Sequence, residues 1–214
     1  MDTAAEKNPL VALLDRLGGP RRLPIATVAT LVVTAITGIA QLVHHPLFDE
    51  FRRDAGKIRA GEWWRLITGM FFQDGWLAGA LFNLLALAVI GAVAERVFGH
   101  WRWLVLYFGC GLFGQLMSFL WLQPDGAGNS MCVAGLLGAL ATALLAARKK
   151  VALPRRLWLA VFLIPVLSIV DTVVGDNHGL PVLLGMALGF VLLPRGLRGL
   201  AATPVEEPAL RSDS

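Results

Sequence analysis

Six apolar stretches, each close to the length that a helix needs to cross a bilayer, dominate this chain. They lie at residues 24–43, 78–96, 102–122, 129–148, 155–174 and 178–194. About 20 residues of helix span the roughly 30 Å of hydrocarbon, and only helices or closed barrels satisfy their backbone polar groups in lipid. Because the chain is 56% hydrophobic and only 16% charged, the sequence predicts an all-α, multi-pass integral membrane protein built as a six-helix bundle.

The basic residues predict how this bundle is oriented. They precede the first stretch and then occupy alternate connections: Arg21, Arg22, Arg96, Arg102, Arg148, Lys149, Lys150, Arg155, Arg156, Arg195 and Arg198. The connections 123–129 and 175–177 contain neither Lys nor Arg. The positive-inside rule therefore puts both termini in the cytoplasm. The predicted organisation is a cytoplasmic N-terminal segment at 1–23, a membrane domain at 24–196 and a cytoplasmic tail at 197–214.

The connection 44–64 departs from this rule, because it is predicted to lie outside and still carries basic residues. They are Arg52, Arg53, Lys57 and Arg59. Four aromatic residues in the same connection, at positions 48, 51, 63 and 64, are typical of segments that lie at a membrane interface. We therefore expect this connection to fold onto the membrane surface.

Ser130 begins the fourth apolar stretch, which is rich in glycine. Polar side chains in a membrane bundle are costly and often functional, and a serine hydroxyl becomes a nucleophile when a neighbouring base takes its proton. The alternative is structural, because serine and asparagine are common first residues of helices. Judged from this position alone, a helix cap formed by Ser130 or its neighbour Asn129 is the favoured interpretation.

His178 begins the last apolar stretch and is the only histidine in the second half of the chain. From this position alone, a histidine at the membrane interface is the favoured interpretation, and the residues that follow change it. Two glycines follow it after about two and three turns of helix, so they share its face. A second glycine pair lies below Ser130, and small residues let helix backbones approach closely in lipid. The packing glycines are Gly135, Gly138, Gly185 and Gly189. Such packing predicts an imidazole within reach of a hydroxyl, as general-base catalysis requires.

Three further polar residues have two interpretations each. Asn83 lies near the start of the second stretch. Its amide is suited to donate to an oxyanion or to form a hydrogen bond with another helix. From the residue alone, the hydrogen bond between helices is the favoured interpretation. Asp171 and Asp176 lie near His178. Either is suited to orient the imidazole, and solvation in the loop is the favoured interpretation.

Other classes of function lack their characteristic residues. The sequence has no H-E-x-x-H zinc motif, no mid-span Lys for a Ser–Lys dyad, and neither the charged pathway nor the repeated halves of a transporter. Cys110 and Cys132 lie in apolar runs without metal-ligand spacing. We expect no metal, no cofactor and no nucleic-acid partner. The partner that the composition implies is the lipid bilayer. The Ala-, Arg-, Gly- and Leu-rich composition is compatible with a bacterial cell membrane.

Several short motifs follow one another in a specific order. They are Trp64-Arg65, Phe82-Asn83, Glu95 to Gly99, Gly128 to Ser130, and His178 with Gly185 and Gly189. In this order and spacing, over residues 61–195, they resemble the rhomboid family of intramembrane serine proteases. The resemblance implies a six-helix bundle with a water-filled cavity that opens to the outside. It also implies that Ser130 attacks a peptide carbonyl of a transmembrane substrate, that His178 carries the proton, and that Asn83 helps to hold the oxyanion.

Two residues depart from the family pattern. The family usually has glycine after the serine, where this chain has Met131, and histidine four residues before the asparagine, where it has Gly79. Losing one oxyanion donor slows a serine protease by about 10²–10³-fold. If Met131 crowds the site, Met131→Gly is expected to raise activity. The alternative function is that of a catalytically inactive rhomboid-like protein that binds other membrane proteins.

Overall fold

The computed structural model describes residues 23–148, 153–195 and 197, and it contains only helices and connecting segments, with no β-strand, in these residues. The helices are α1 (Ile25–Val43), α2 (Pro46–Phe51), α3 (Ala55–Arg59), α4 (Arg65–Thr68), α5 (Trp76–Ala86), α6 (Ala92–Phe98), α7 (His100–Leu120), α8 (Ser130–Ala146), α9 (Arg155–Val173) and α10 (Gly179–Val191). A π-helical segment, Leu87–Gly91, joins α5 to α6. The prediction of an all-α fold is confirmed.

Four helical stretches are long and apolar enough to cross a membrane. They are Ile25–Val43, Leu77–Phe98, His100–Leu120 and Arg155–Val173. The helices α8 and α10 are also apolar but shorter, with 17 and 13 residues. Each predicted apolar stretch therefore coincides with a helix, and the protein is an integral membrane protein. The number of six membrane crossings stays a prediction.

The start of α1 is attached to the end of α6 by Glu95. Its carboxylate accepts hydrogen bonds from the backbone N–H groups of Ala26 and Thr27, at 2.8 and 2.7 Å, and from the Thr27 hydroxyl at 2.6 Å. The first N–H groups of a helix lack acceptors within the helix, and their positive dipole favours a carboxylate. A buried acid in the second stretch thus caps the first helix.

Arg53 joins the connection after α1 to the loop before α8. Its side chain is 1% exposed, and its guanidinium donates to the carbonyls of Gln123 and Asp125 at 2.9 and 3.2 Å and to the side chain of Gln115. Burial lowers the pKa of Arg53 to about 10, although the charges of Asp125 and Asp74 oppose this change. Arg53 is therefore still charged at neutral pH, and its charge is used to bind buried acceptors within the protein.

Arg65 is a second buried arginine that binds backbone carbonyls of the connection after α1. It is 3% exposed, pairs with the Glu62 carboxylate at 2.5 Å and donates to the carbonyls of Asp49 and Arg52 at 3.1 Å each. Because Arg53 and Arg65 bind backbone carbonyls, a structural role explains why they are present in this connection. They therefore do not argue against placing the connection on the outer side of the membrane. Large apolar side chains of this region remain exposed, namely Trp63, Trp64 and Ile67. That they lie in the membrane surface stays a prediction.

The centre of the bundle is the contact between α8 and α10, which pack backbone against backbone. A Cβ atom at Gly185 would lie 2.0 Å from the carbonyl oxygen of Gly135. One at Gly138 would lie 2.1 Å from the carbonyl oxygen of Val182, and one at Gly189 would lie 2.7 Å from the backbone of α8. These separations are far below van der Waals contact, so this crossing requires glycine on both helices.

The predicted terminal segments fall almost entirely outside the described residues. Of the cytoplasmic segment 1–23 the structure describes only Leu23, and of the tail 197–214 only Leu197. The basic connection 149–152 also lies outside them. These domain boundaries and the orientation of the termini therefore stay predictions.

Candidate active site

Ser130 is the first residue of α8, and its hydroxyl does not cap that helix. The structure shows no side-chain cap hydrogen bond at the start of α8. The Ser130 side chain is only partly buried, and its backbone N–H lies in the first turn, where N–H groups lack acceptors within the helix. The serine hydroxyl is therefore free to act elsewhere.

The loop before Ser130 is held by backbone contacts. The Gly128 N–H donates to the Gly69 carbonyl at 2.8 Å, and Arg53 and Gly126 exchange two backbone hydrogen bonds. Gly128 has a φ of +138°, a conformation that favours glycine. A Cβ atom there would also lie 3.5 Å from Ser130 Oγ. This glycine keeps open the space beside the hydroxyl.

His178 directly precedes α10, and its imidazole contacts the Ser130 hydroxyl. The distance from His178 Nε2 to Ser130 Oγ is 2.8 Å, across 48 positions of sequence. The glycine contact between α8 and α10 positions the two residues, since each lies at the start of one of these helices. The His178 side chain is 43% exposed, so the pair is not enclosed by the described residues.

Asp176 contacts the other nitrogen of the same imidazole. Its Oδ1 lies 2.5 Å from His178 Nδ1 and accepts the His178 backbone N–H at 3.0 Å. Partial burial acts to raise the pKa of Asp176, but the hydrogen bonds from the His178 ring and backbone outweigh it and bring this pKa below its usual value. Of the two interpretations of Asp176, the contact supports the one in which its carboxylate binds the imidazole, although 40% of the side chain stays exposed.

Asn83 lies beside the same space from the side of α5. A Cβ atom at Gly128 would lie 3.8 Å from Asn83 Nδ2. The Asn83 amide and the Ser130 hydroxyl therefore both face the space beside Gly128. Asn83 Nδ2 also donates to the side-chain oxygen of Gln73 at 2.7 Å. Gln73 is 1% exposed, and its backbone is held by both polar atoms of the Gln41 amide. Nothing in the sequence pattern had singled out these two glutamines.

Comparison with known proteins shows to which family the chain belongs. Residues 60–195 match the family model of the Rhomboid domain, which is more than half of the chain. The chain belongs to the rhomboid family. Among curated relatives, it is 40% identical over 92 residues to the rhomboid protease GluP of Bacillus subtilis and 34% identical over 80 residues to the putative rhomboid protease YdcA of the same organism. It is 33% identical over 177 residues to RHOMBOID-like protein 2 of Arabidopsis thaliana.

These matches cover parts of the relatives. They span 43% of this chain and 18% of GluP, 36% of this chain and 40% of YdcA, and 76% of this chain and 55% of the Arabidopsis protein. The chain thus spans less than two thirds of the length of these rhomboid relatives.

Gly79 replaces the histidine that rhomboids usually have at this place, and the local backbone explains why. A Cβ atom at Gly79 would lie 2.6 Å from the carbonyl oxygen of Asp74. The tight turn before α5 therefore excludes every side chain at position 79. Of the two side-chain donors that the family pattern places near the oxyanion, this rhomboid keeps only Asn83.

Met131 does not project into the space beside Ser130. It is 2% exposed, and its sulfur accepts a hydrogen bond from the Ser118 hydroxyl of α7 at 3.5 Å. A Cβ atom at Gly114 would lie 2.8 Å from that sulfur. The side chain thus fills the contact between α7 and α8, where Gly114 makes room for it.

We expect Met131→Gly to lower stability without raising activity. The substitution removes a buried side chain and leaves a cavity between α7 and α8, at a cost of about 3 kcal/mol in the free energy of unfolding. Thermal unfolding in detergent and cleavage of a transmembrane reporter measure the two effects. Met131→Leu conserves the volume and is the matched control. A faster Met131→Gly enzyme would show that the methionine obstructs the site.

Asp171, Asp176 and His178 are the one group in the described residues with the composition of a metal site. Their potential ligand atoms lie within 4.8 Å of one another. Both imidazole nitrogens already have protein partners, since Nε2 contacts Ser130 and Nδ1 contacts Asp176. The imidazole is thus held between the Ser130 hydroxyl and the Asp176 carboxylate.

Proposed function

We propose that this rhomboid is an intramembrane serine endopeptidase in which Ser130 is the nucleophile and His178 is the general base. The observation that carries the proposal is the 2.8 Å contact between Ser130 Oγ and His178 Nε2. A hydroxyl bonded to an imidazole nitrogen is the arrangement that activates serine for acyl transfer. The similarity to proteins named as rhomboid proteases supports the same reaction.

The proposed reaction has two acyl-transfer steps. Ser130 Oγ attacks the substrate carbonyl while His178 Nε2 takes the hydroxyl proton, and His178 then returns it to the leaving amine as the peptide bond breaks. Water attacks the resulting ester, again giving its proton to His178, which passes it to Ser130 Oγ as the carboxylic acid product leaves. No cofactor takes part in either step.

The negative oxygen that forms in each step needs hydrogen-bond donors. The proposed donors are the backbone N–H of Ser130, at the positive end of the α8 dipole, and the Asn83 amide, which borders the same space. Because Gly79 offers no side chain, Asn83 has to act without the usual histidine. We therefore expect a slower enzyme than a rhomboid with both donors.

The proposed substrate is a transmembrane protein that enters from the bilayer. Ser130 and His178 lie at the ends of apolar helices and remain partly exposed, which supports a site at the edge of the membrane that lipid and water both reach. With both termini in the cytoplasm, as the basic residues predict, the site lies near the outer face. A bacterial cell membrane fits this proposal.

Labelling with a fluorophosphonate probe tests the proposal without any knowledge of the substrate. The purified protein in detergent should be labelled, and Ser130→Ala should not, because the probe phosphonylates only an activated serine. Ser168→Ala is the matched control, since the Ser168 hydroxyl binds only the carbonyl of Ile164 in its own helix. If the folded wild type stays unlabelled, Ser130 is not activated, and the alternative of an inactive rhomboid that binds membrane proteins is favoured.

A further inference from the structure

We infer that Asp176 is a positioning residue that holds the His178 imidazole in the orientation and tautomer that the reaction needs. The inference rests on the proposed function and extends the dyad to a hydrogen-bonded triad of Ser130, His178 and Asp176, in which the proton moves only between Ser130 and His178. The observation that carries it is the 2.5 Å contact between Asp176 Oδ1 and His178 Nδ1, on the side of the ring opposite to the serine contact.

The contact selects one tautomer of the neutral imidazole. A carboxylate accepts hydrogen bonds only, so Nδ1 must carry the proton in this pair. Nε2 is then the unprotonated nitrogen that faces Ser130 Oγ at 2.8 Å. Without an acceptor at Nδ1, the proton is free to move to Nε2, and a ring in that state cannot take the serine proton.

The position of the carboxylate does not depend on the imidazole alone. Asp176 Oδ1 also accepts the backbone N–H of His178 at 3.0 Å, the two-residue turn that aspartate side chains commonly form. This local bond fixes the carboxylate before the ring binds. Rotation of the ring away from Ser130 would break its bond to a carboxylate that is already in place.

The short segment that carries Asp176 is attached on both sides. Asn177 is 7% exposed and donates to the side-chain oxygen of Gln123, in the loop before Ser130, at 3.2 Å. A Cβ atom at Gly179 would lie 2.0 Å from the carbonyl oxygen of Ser168, so the segment also lies tightly against α9. Both contacts limit its movement relative to the nucleophile.

The neighbouring Asp171 offers a comparison within the same group. Its carboxyl interacts with Asp176 and with the backbone N–H of Gly179, and no hydrogen bond to the imidazole is present in the described structure. Asp171 and Asp176 therefore share their environment but differ in contact with the ring. Their variants separate the effect of a nearby charge from the effect of positioning.

The test compares Asp176→Asn with Asp171→Asn in the full-length protein. Loss of the orienting carboxylate of a buried triad slows catalysis by about 10⁴-fold. Because the Asp176 side chain is 40% exposed, we expect a smaller fall of about 10²-fold in kcat, with KM within about twofold of the wild-type value. The rate of fluorophosphonate labelling should fall by the same factor. Asp171→Asn should stay within about threefold, and both variants should unfold at the wild-type temperature.

A second measurement does not depend on activity. In protein labelled with ¹⁵N-histidine, the His178 Nδ1 signal should be that of a protonated, hydrogen-bonded nitrogen, and Asp176→Asn should remove this signature. Wild-type kcat in Asp176→Asn, or an unprotonated Nδ1 in the wild type, would overturn the inference. A wild-type protein without any activity but with the expected Nδ1 signal would instead contradict the proposed protease function and leave the positioning contact supported.

Discussion

Ser130→Ala and His178→Ala should each reduce cleavage of a transmembrane reporter by about 10⁴-fold or more, while the protein keeps its fold. The hydroxyl supplies the attacking oxygen and the imidazole takes its proton, so neither group works alone. The double variant should be no slower than either single variant, because residues that act as one unit do not contribute additively. Reporter cleavage in proteoliposomes, with unfolding temperatures measured in parallel, gives both results.

The controls for this experiment are present in the chain. His44→Ala removes an exposed histidine at the end of α1, and Ser168→Ala removes a hydroxyl bonded within its own helix. Both should cleave at the wild-type rate. Additive losses in the double variant would show that Ser130 and His178 act separately. Cleavage that persists in either single variant would reject the proposed dyad.

The sequence predicted the residues that depend on helix periodicity and missed those that depend on local turns. Ser130 and His178 were predicted to meet because each is followed by glycines on one helical face, and the closest contacts of α8 and α10 involve these glycines. For Asp176 the sequence left two interpretations and favoured solvation, because nothing in its spacing shows that a turn directs its carboxylate to the ring two residues later.

The sequence pattern also did not predict the direction of the Met131 side chain. A bulky residue next to the nucleophile suggested crowding, and the structure turns it toward Gly114 on a different helix. The π-helical segment Leu87–Gly91 was also not predicted. It brings the Gly91 carbonyl to the indole N–H of Trp103, 3.0 Å away. Such partners come from distant parts of the chain, and one sequence does not reveal them.

Gly185→Ala should have a large effect, because it adds a methyl group to the tight contact between α8 and α10. The new Cβ atom would lie 2.0 Å from the Gly135 carbonyl oxygen, and that neighbour is backbone. Cβ atoms are essentially never found within 3.0 Å of a heavy atom to which they are not bonded. The helices α8 and α10 would therefore have to separate by about 1 Å or more. Overpacking of this kind costs about 3 kcal/mol, and we expect the unfolding temperature in detergent to fall accordingly.

The same separation should slow catalysis by more than the loss of stability explains. Ser130 begins α8 and His178 precedes α10, so moving the helices apart lengthens the 2.8 Å contact between Oγ and Nε2. A displacement of about 1 Å in an active site is enough for a 10²-fold loss of rate. Fluorophosphonate labelling at a temperature where the variant stays folded isolates this effect from unfolding.

Gly109→Ala provides the matched control, since it adds the same methyl group to an apolar helix of the bundle. A Cβ atom at Gly109 would meet nothing closer than a side-chain carbon of Leu188 at 4.0 Å, and alanine favours the helix by about 1 kcal/mol over glycine. This variant should be labelled at the wild-type rate and unfold no earlier than the wild type. If Gly185→Ala behaved in the same way, α8 and α10 would not need their backbone contact. The pairing of Ser130 with His178 would then depend on the loops before these helices, where Asn177 binds Gln123.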